Sequence, residues 1–181
     1  MMKKIIILSL LLSAMLINKA NAQIEIAKLL GKNSSDYLPG FGAFLKFNLP
    51  VTAGGDISIE GGALAFLDKE YPDEYAIVMV PLKIGYRHTL NGTGTGFYAE
   101  PQIGYNLFGV DYYYDYNTYD NVEKKITGFI WSAGTGYLFK PSRRLQFDLG
   151  LRYESVIYKG GSKSFIALRL SNNFSFRKRE E

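Results

Sequence analysis

The stretch LQFDLGLRYESVIYKG, Leu145 to Gly160, sets Asp148, Arg152 and Glu154 at even spacing along a run that is otherwise apolar. Glu25, Lys46, Glu60, Lys83, Arg87, Glu100 and Arg169 sit in hydrophobic runs in the same way. Charges so placed either pair with opposite charges or line a path for ions, because burying them unpaired costs several kcal/mol each, roughly. Other chemistry is weakly signalled. His88 is the single histidine, and no serine is obviously placed beside it for a catalytic pair. The glycine-rich NGTGTG at Asn91 to Gly96 lacks the Gly-Lys-Ser/Thr ending of a phosphate loop and reads as a hairpin turn. DYNTYD at Asp115 to Asp120 has spaced oxygen ligands but departs from the calcium-loop pattern. Without cysteine there is no disulfide, thiolate metal site or cysteine nucleophile. These features predict no enzyme, no cofactor and no metal.

The elements that position these charges begin after residue 22. Lys3 and Lys4 form a basic n-region, Ile5 to Ile17 an apolar h-region, and Ala20-Asn21-Ala22 an A-x-A site, together a signal peptide over 1–22 cut before Gln23. The apolar run is short of the ~20 residues that a spanning helix needs. Removing Lys3, Lys4 and Lys19 with no acidic residue lowers the net charge from +4 to +1. The basic balance belongs largely to the signal and gives no reason to expect nucleic acid as a partner.

Residues 23–177 show period two almost throughout, the mark of strands with unlike faces. Leu145, Phe147, Leu149, Leu151 and Tyr153 oppose Gln146, Asp148, Gly150, Arg152 and Glu154. Four segments alternate in this way and three more with some slack, and the slip around Gly61-Gly62 suggests a bulge. Ile24 and Ile26 around Glu25 offer a first strand that is short for crossing a bilayer. The fold expected is all-β, with eight antiparallel strands. Longer polar links (Lys32 to Pro39, Asp68 to Glu74, Asp111 to Lys124, with a short last one at Lys159 to Lys163) alternate with compact turns at Pro50 to Gly54, Leu90 to Gly96 and Lys140 to Arg144. An even strand number with short turns at one end and longer loops at the other describes an up-and-down transmembrane β-barrel of the outer membrane.

A soluble barrel of the lipocalin type competes, with its apolar face inward. Three features favour the membrane barrel. The charged faces are rich in glycine, as a narrow interior requires and an exposed surface does not. The aromatics Phe47, Tyr86, Phe97, Tyr137, Phe139, Phe147, Phe174 and Phe176 gather near the short-turn end of the apolar faces, as in a membrane-interface girdle. Most segments also reach the ~9–11 residues that a tilted spanning strand needs.

AIVMVPLKIGYRH, a short turn and GFYAEPQIGYNLFG, with Pro81, Lys83, Tyr86, Gly104 and Tyr105, resemble the paired central strands of small outer-membrane β-barrels abundant in Bacteroidetes, often labelled porin family. The architecture is similar to the OmpX and OmpA barrels. The resemblance implies a Gram-negative outer-membrane location and a strand-terminal aromatic that the barrel assembly machinery recognises. Phe176 could serve, although the charged tail 178–181 follows.

On this reading Glu25, Lys46, Glu60, Lys83, Arg87, Glu100, Asp148, Arg152, Glu154 and Arg169 face the lumen, paired across adjacent strands: Lys83 or Arg87 with Glu100, Lys46 with Glu60, and Arg169 with Asp148 or Glu154. The network is either a polar plug or, if its pairs exchange partners, a narrow pore. His88 falls on the lipid side near a periplasmic turn, far from the outer leaflet where a lipid A-modifying enzyme would act. The link Asp111 to Lys124 carries Tyr112, Tyr113, Tyr114, Tyr116 and Tyr119, which either bind an extracellular partner or glycan or form the outer girdle and a mobile loop. The expected surroundings are outer-membrane lipid and lipopolysaccharide, and the expected state is a monomer.

Overall fold

The structure, a computed structural model, describes residues 20–32, 34–115, 119–140 and 146–173. Most of the expected signal segment, Leu145, Tyr116, Phe174, Phe176 and the tail 178–181 lie outside the described residues.

Nine strands follow in chain order: β1 (Ala20–Leu30), β2 (Gly40–Thr52), β3 (Gly55–Leu67), β4 (Ala76–Thr89), β5 (Gly96–Asp115), β6 (Asp120–Lys125), β7 (Gly128–Phe139), β8 (Phe147–Tyr158) and β9 (Gly161–Asn173). Eight of them close a ring, each antiparallel to its neighbours, by pairing of β1 with β9 and of β4 with β5. The ninth, β6, continues the line of β7 beyond the ring and pairs only with the far end of β5. Closure leaves the ring no free edge.

The break between β6 and β7 has a local cause. Ile126 turns inward and is fully buried, its N–H donating to the Gly109 carbonyl at 2.9 Å. Its own carbonyl accepts from Asn106 Nδ2 at 2.9 Å. Both backbone groups of Ile126 are therefore satisfied where it leaves the ladder.

Several expectations change. β1 runs for 11 residues and pairs along both edges, two residues shorter than β2 and β9, and eight of the 11, Gln23 to Leu30, lie beyond the expected cut. It begins at Ala20, three residues ahead of the expected cut. Pro50 to Thr52 belong to β2, leaving Ala53-Gly54 as the turn. The link from Asp111 to Lys124 is mostly strand: Tyr112, Tyr113 and Tyr114 lie in β5 and Asp120 to Lys125 in β6. No bulge occurs at Gly61-Gly62, where pairing with β2 runs on unbroken. The register shifts elsewhere: in β5, where Val80 faces Phe108 and Pro81 faces Asn106, leaving Leu107 as the extra residue, and in β2, where Pro50 faces Asp56 and Thr52 faces Gly55, leaving Val51 as the extra residue.

The outward face is apolar around the ring, with Ile24, Phe41, Leu45, Leu82, Phe97, Ile103, Leu151 and Leu168 all exposed. The lumen is layered. Toward the end of the short turns it is polar and charged; toward the loop end it is apolar, built from Leu29, Phe44, Leu64, Phe66, Ile77, Met79, Ile130, Val156 and Phe165. Phe66 and Phe165 meet edge to face with ring centroids 5.6 Å apart. Phe44 lies where a Cβ on Gly42 or Gly62 would stand, so these glycines make room for its ring. The apparent slip at Gly61-Gly62 is the point on β3 where the inward residues change from Ser58 and Glu60 to Leu64 and Phe66 while the period of two continues.

Candidate functional site

Each ring strand turns alternate side chains inward, and an eight-stranded barrel is only wide enough for side chains to fill. Long charged residues from different strands therefore converge on the axis. Glu25, Lys46, Glu60, Lys83, Arg87, Glu100, Asp148, Arg152, Glu154 and Arg169 are all buried in the lumen, five acids with five bases.

They form two linked clusters. In the first, Arg152 reaches Glu60 at 2.6 Å, Glu154 at 3.1 Å and Glu25 at 3.2 Å, while Lys83 reaches Glu154 at 2.7 Å and Glu60 at 2.9 Å. In the second, Glu100 is held by Lys46, by Arg87 at 2.9 Å and by Arg169 at 3.2 Å, and it accepts from Ser58 at 2.8 Å. Asp148 pairs with Arg87 at 2.7 Å and Arg169 at 3.4 Å. Glu60 joins the clusters through Arg169 at 3.6 Å and Lys46 at 4.0 Å.

Of the adjacent-strand pairs expected from sequence, Arg87 with Glu100 and Arg169 with Asp148 are formed. Lys46 makes its closer contact with Glu100 on β5 rather than with Glu60, and Lys83 turns to Glu60 and Glu154 rather than to Glu100. Alternation reveals which residues face inward but not which of them meet across a lumen.

Tyr98 was not singled out in the sequence, although it shares the inward face with Glu100 and Gln102. Its hydroxyl donates to Asp148 Oδ1 at 2.6 Å and accepts from Arg169 Nη2 at 2.6 Å. The Arg87 guanidinium lies 4.1 Å from its ring centroid, a cation–π contact.

At the loop end, the β1–β2 and β3–β4 links, the β5–β6 hairpin and the adjoining ends of β8 and β9 surround an open cup of about 690 Å³. Tyr37 forms part of its floor. Its hydroxyl donates to Asp111 Oδ1 at 3.1 Å, and burial followed by the Asp111 charge pushes that hydroxyl above its ordinary range, so it stays a donor. Asp111 also pairs with Lys163 at 2.9 Å. The links are braced to one another: Leu38 N–H donates to the Leu67 carbonyl and Lys69 N–H to that of Asp36, both at 2.8 Å. Tyr75 ties its link to the hairpin by donating to Asn121 Oδ1 at 2.7 Å.

Of the surface tyrosines, Tyr113 and Tyr114 line the cup, Tyr112 is exposed on β5 and Tyr119 is exposed at the hairpin tip with φ 55°. At the short-turn end Tyr86, Phe97, Tyr137, Phe139 and Phe147 are exposed outward and Phe47 half-exposed. Phe97 and Tyr137 meet edge to face at 4.9 Å. His88 is exposed on the outer face at this end, stacked on Tyr86 at 6.2 Å. The β4–β5 turn is Leu90 to Thr95, and Gly96 opens β5; Gly92, Gly94 and Gly96 have positive φ.

The ring and its eight strands match known structures. Neisserial surface protein A superposes with TM-score 0.60 at 12% identity, over 87% of this chain and 96% of that one. The attachment invasion locus protein Ail of Yersinia pestis superposes with TM-score 0.59 at 12% identity, over 87% and 97%. The N-terminal β-barrel domain of Pseudomonas aeruginosa OprF gives 0.57 at 14% identity, over 87% and 99%. The fold is that of the small eight-stranded outer-membrane barrels, the OmpX and OmpA architecture. No protein-family model matches the chain, and no curated protein sequence matches it.

Proposed function

We propose that the protein is a non-enzymatic integral barrel of a Gram-negative outer membrane, with a closed lumen and a surface-interaction role at its loop end. The observation that carries this reading is the layered lumen. A net-neutral ion-pair cluster fills one half and a layer of aromatic and aliphatic side chains the other. Ion passage would require both to rearrange, and breaking a buried pair costs about 3–5 kcal/mol. The polar cluster fixes register and fills space, and the function lies where loops meet solvent.

The exposed aliphatic belt supports lipid as the outer solvent, because a monomeric soluble protein rarely exposes so large an apolar surface. Lipopolysaccharide and phospholipid then surround the barrel. Phe47, Tyr86, Phe97, Tyr137, Phe139 and Phe147 form the periplasmic girdle, and Phe41, Phe108 and Phe129 stand on the outward face toward the other leaflet. The signal segment 1–22 directs export, and the assembled barrel is a monomer inserted by the barrel assembly machinery.

The test is electrophoretic mobility of the membrane fraction before and after boiling. A folded barrel is expected to migrate differently from its boiled form. Recovery of the protein only from the soluble periplasm would overturn the reading and favour a lipocalin-like barrel.

A further inference from the structure

The cup at the loop end has a composition that narrows what it can hold. Its volume, about 690 Å³, falls within the ~300–1,000 Å³ typical of small-ligand sites. The links that form it are cross-braced by backbone bonds and by Tyr75, so little ordering remains to oppose binding.

Three ligand chemistries fit poorly. An organic cation would meet the amines of Lys69, Lys124 and Lys163, of which Lys124 lies 5.2 Å from the Tyr158 ring centroid and Lys163 5.6 Å from that of Tyr37. A polyanion would meet Asp36, Asp68, Glu70 and Asp111 against three lysines, one of them already paired with Asp111. An apolar ligand would strip water from that charged lining.

A hydroxyl-rich neutral ligand suits what is left. Tyr71 and Tyr75 meet edge to face at 6.0 Å and present a bent aromatic wall, with Tyr113 and Tyr114 also lining the cup. Tyrosine rings pack on the C–H faces of sugars while their hydroxyls, with nearby carboxylates and amines, exchange hydrogen bonds with sugar hydroxyls. We propose that this cup binds neutral saccharide chains. The proposal rests on the surface-interaction reading and gives it a ligand class.

The experiment presents the full-length mature barrel, folded in nanodiscs, to an array of neutral, sialylated and sulfated oligosaccharides. The best neutral binder is then titrated against wild type, Tyr71→Ala and Tyr119→Ala, each shown to be folded by heat-modifiable mobility. Binding of a neutral oligosaccharide is expected, weakened tenfold or more by Tyr71→Ala and changed less than twofold by Tyr119→Ala, which lies outside the cup. An array with no neutral binder, a preference for sulfated or sialylated chains, or equal affinity of Tyr71→Ala and wild type would overturn it. A parallel adhesion assay on cells lacking residues 115–121 separates the two levels. With an empty array, reduced adhesion removes only the saccharide, whereas unchanged adhesion removes the surface-interaction reading as well.

Discussion

The hydroxyl of Tyr98 lies 2.6 Å from Asp148 Oδ1, in the space that a Cβ on Gly150 would enter. The glycine on β8 and the tyrosine on β5 are therefore one structural unit. Tyr98→Phe is expected to destabilise the barrel by about 1–3 kcal/mol, since Asp148 and Arg169 each lose a buried partner. Urea titration followed by the folded and unfolded electrophoretic bands measures it.

The same unit predicts coupling. Gly150→Ala should destabilise the wild-type barrel, and its cost should shrink in a Tyr98→Phe background where the obstructing oxygen is gone. A double-mutant cycle with purely additive free energies would separate the two positions.

Arg152 touches three carboxylates. Arg152→Met leaves that acidic cluster in excess, and a loss of about 3–5 kcal/mol is expected. Lys32→Met, at an exposed position outside the ring, should change stability by about 0.5 kcal/mol or less. Equal effects of the two would mean that the lumen is hydrated enough to screen its charges.

Fluctuations of the ion pairs alone should not open a path, because the apolar layer stands in series with them. Purified protein in planar bilayers is expected to show no stepwise conductance. Resolved single-channel steps in the wild type would favour the pore over the plug.

Phe66 is fully buried although its strand lies in a barrel wall. Phe66→Ala should cost about 3–5 kcal/mol, as in the core of a soluble protein. Leu82→Ala, on the exposed outer face of β4, exchanges protein surface for detergent or lipid and should cost clearly less in the same urea titration.

Much of this arrangement is legible in the sequence, for a definite reason. Where one face is charged and the other apolar, as from Leu149 to Glu154 or from Phe97 to Gln102, alternation assigns both faces and the direction of every charge. The contrast disappears toward the loop end. Val78 and Val80 face outward while Ile77 and Met79 face inward, and a strand apolar on both faces reads only as a hydrophobic run. The inner layer of Phe44, Leu64, Phe66 and Phe165 was missed for this reason, and at Gly61-Gly62 the change of inner polarity imitated a change of register. The mouth was legible only as a tyrosine-rich stretch. The assembly of Tyr37, Tyr71, Tyr113 and Tyr158 around one cup depends on closure of the ring, which no local pattern records.

The seam of that ring joins β1 to β9, with Gln23 opposite Ser171 and Leu30 opposite Ser164. One edge of the earliest strand thus waits for the last one, and Glu25 has no neighbour on that side until Arg169 arrives beside it. Closing a loop of nearly the whole chain must precede that contact, which makes the final step slow and strongly non-local. Until then the remaining strands form an open sheet with two raw margins, each able to take a strand from another copy. A truncation that removes β9 should therefore yield a sticky, protease-sensitive chain rather than a smaller barrel.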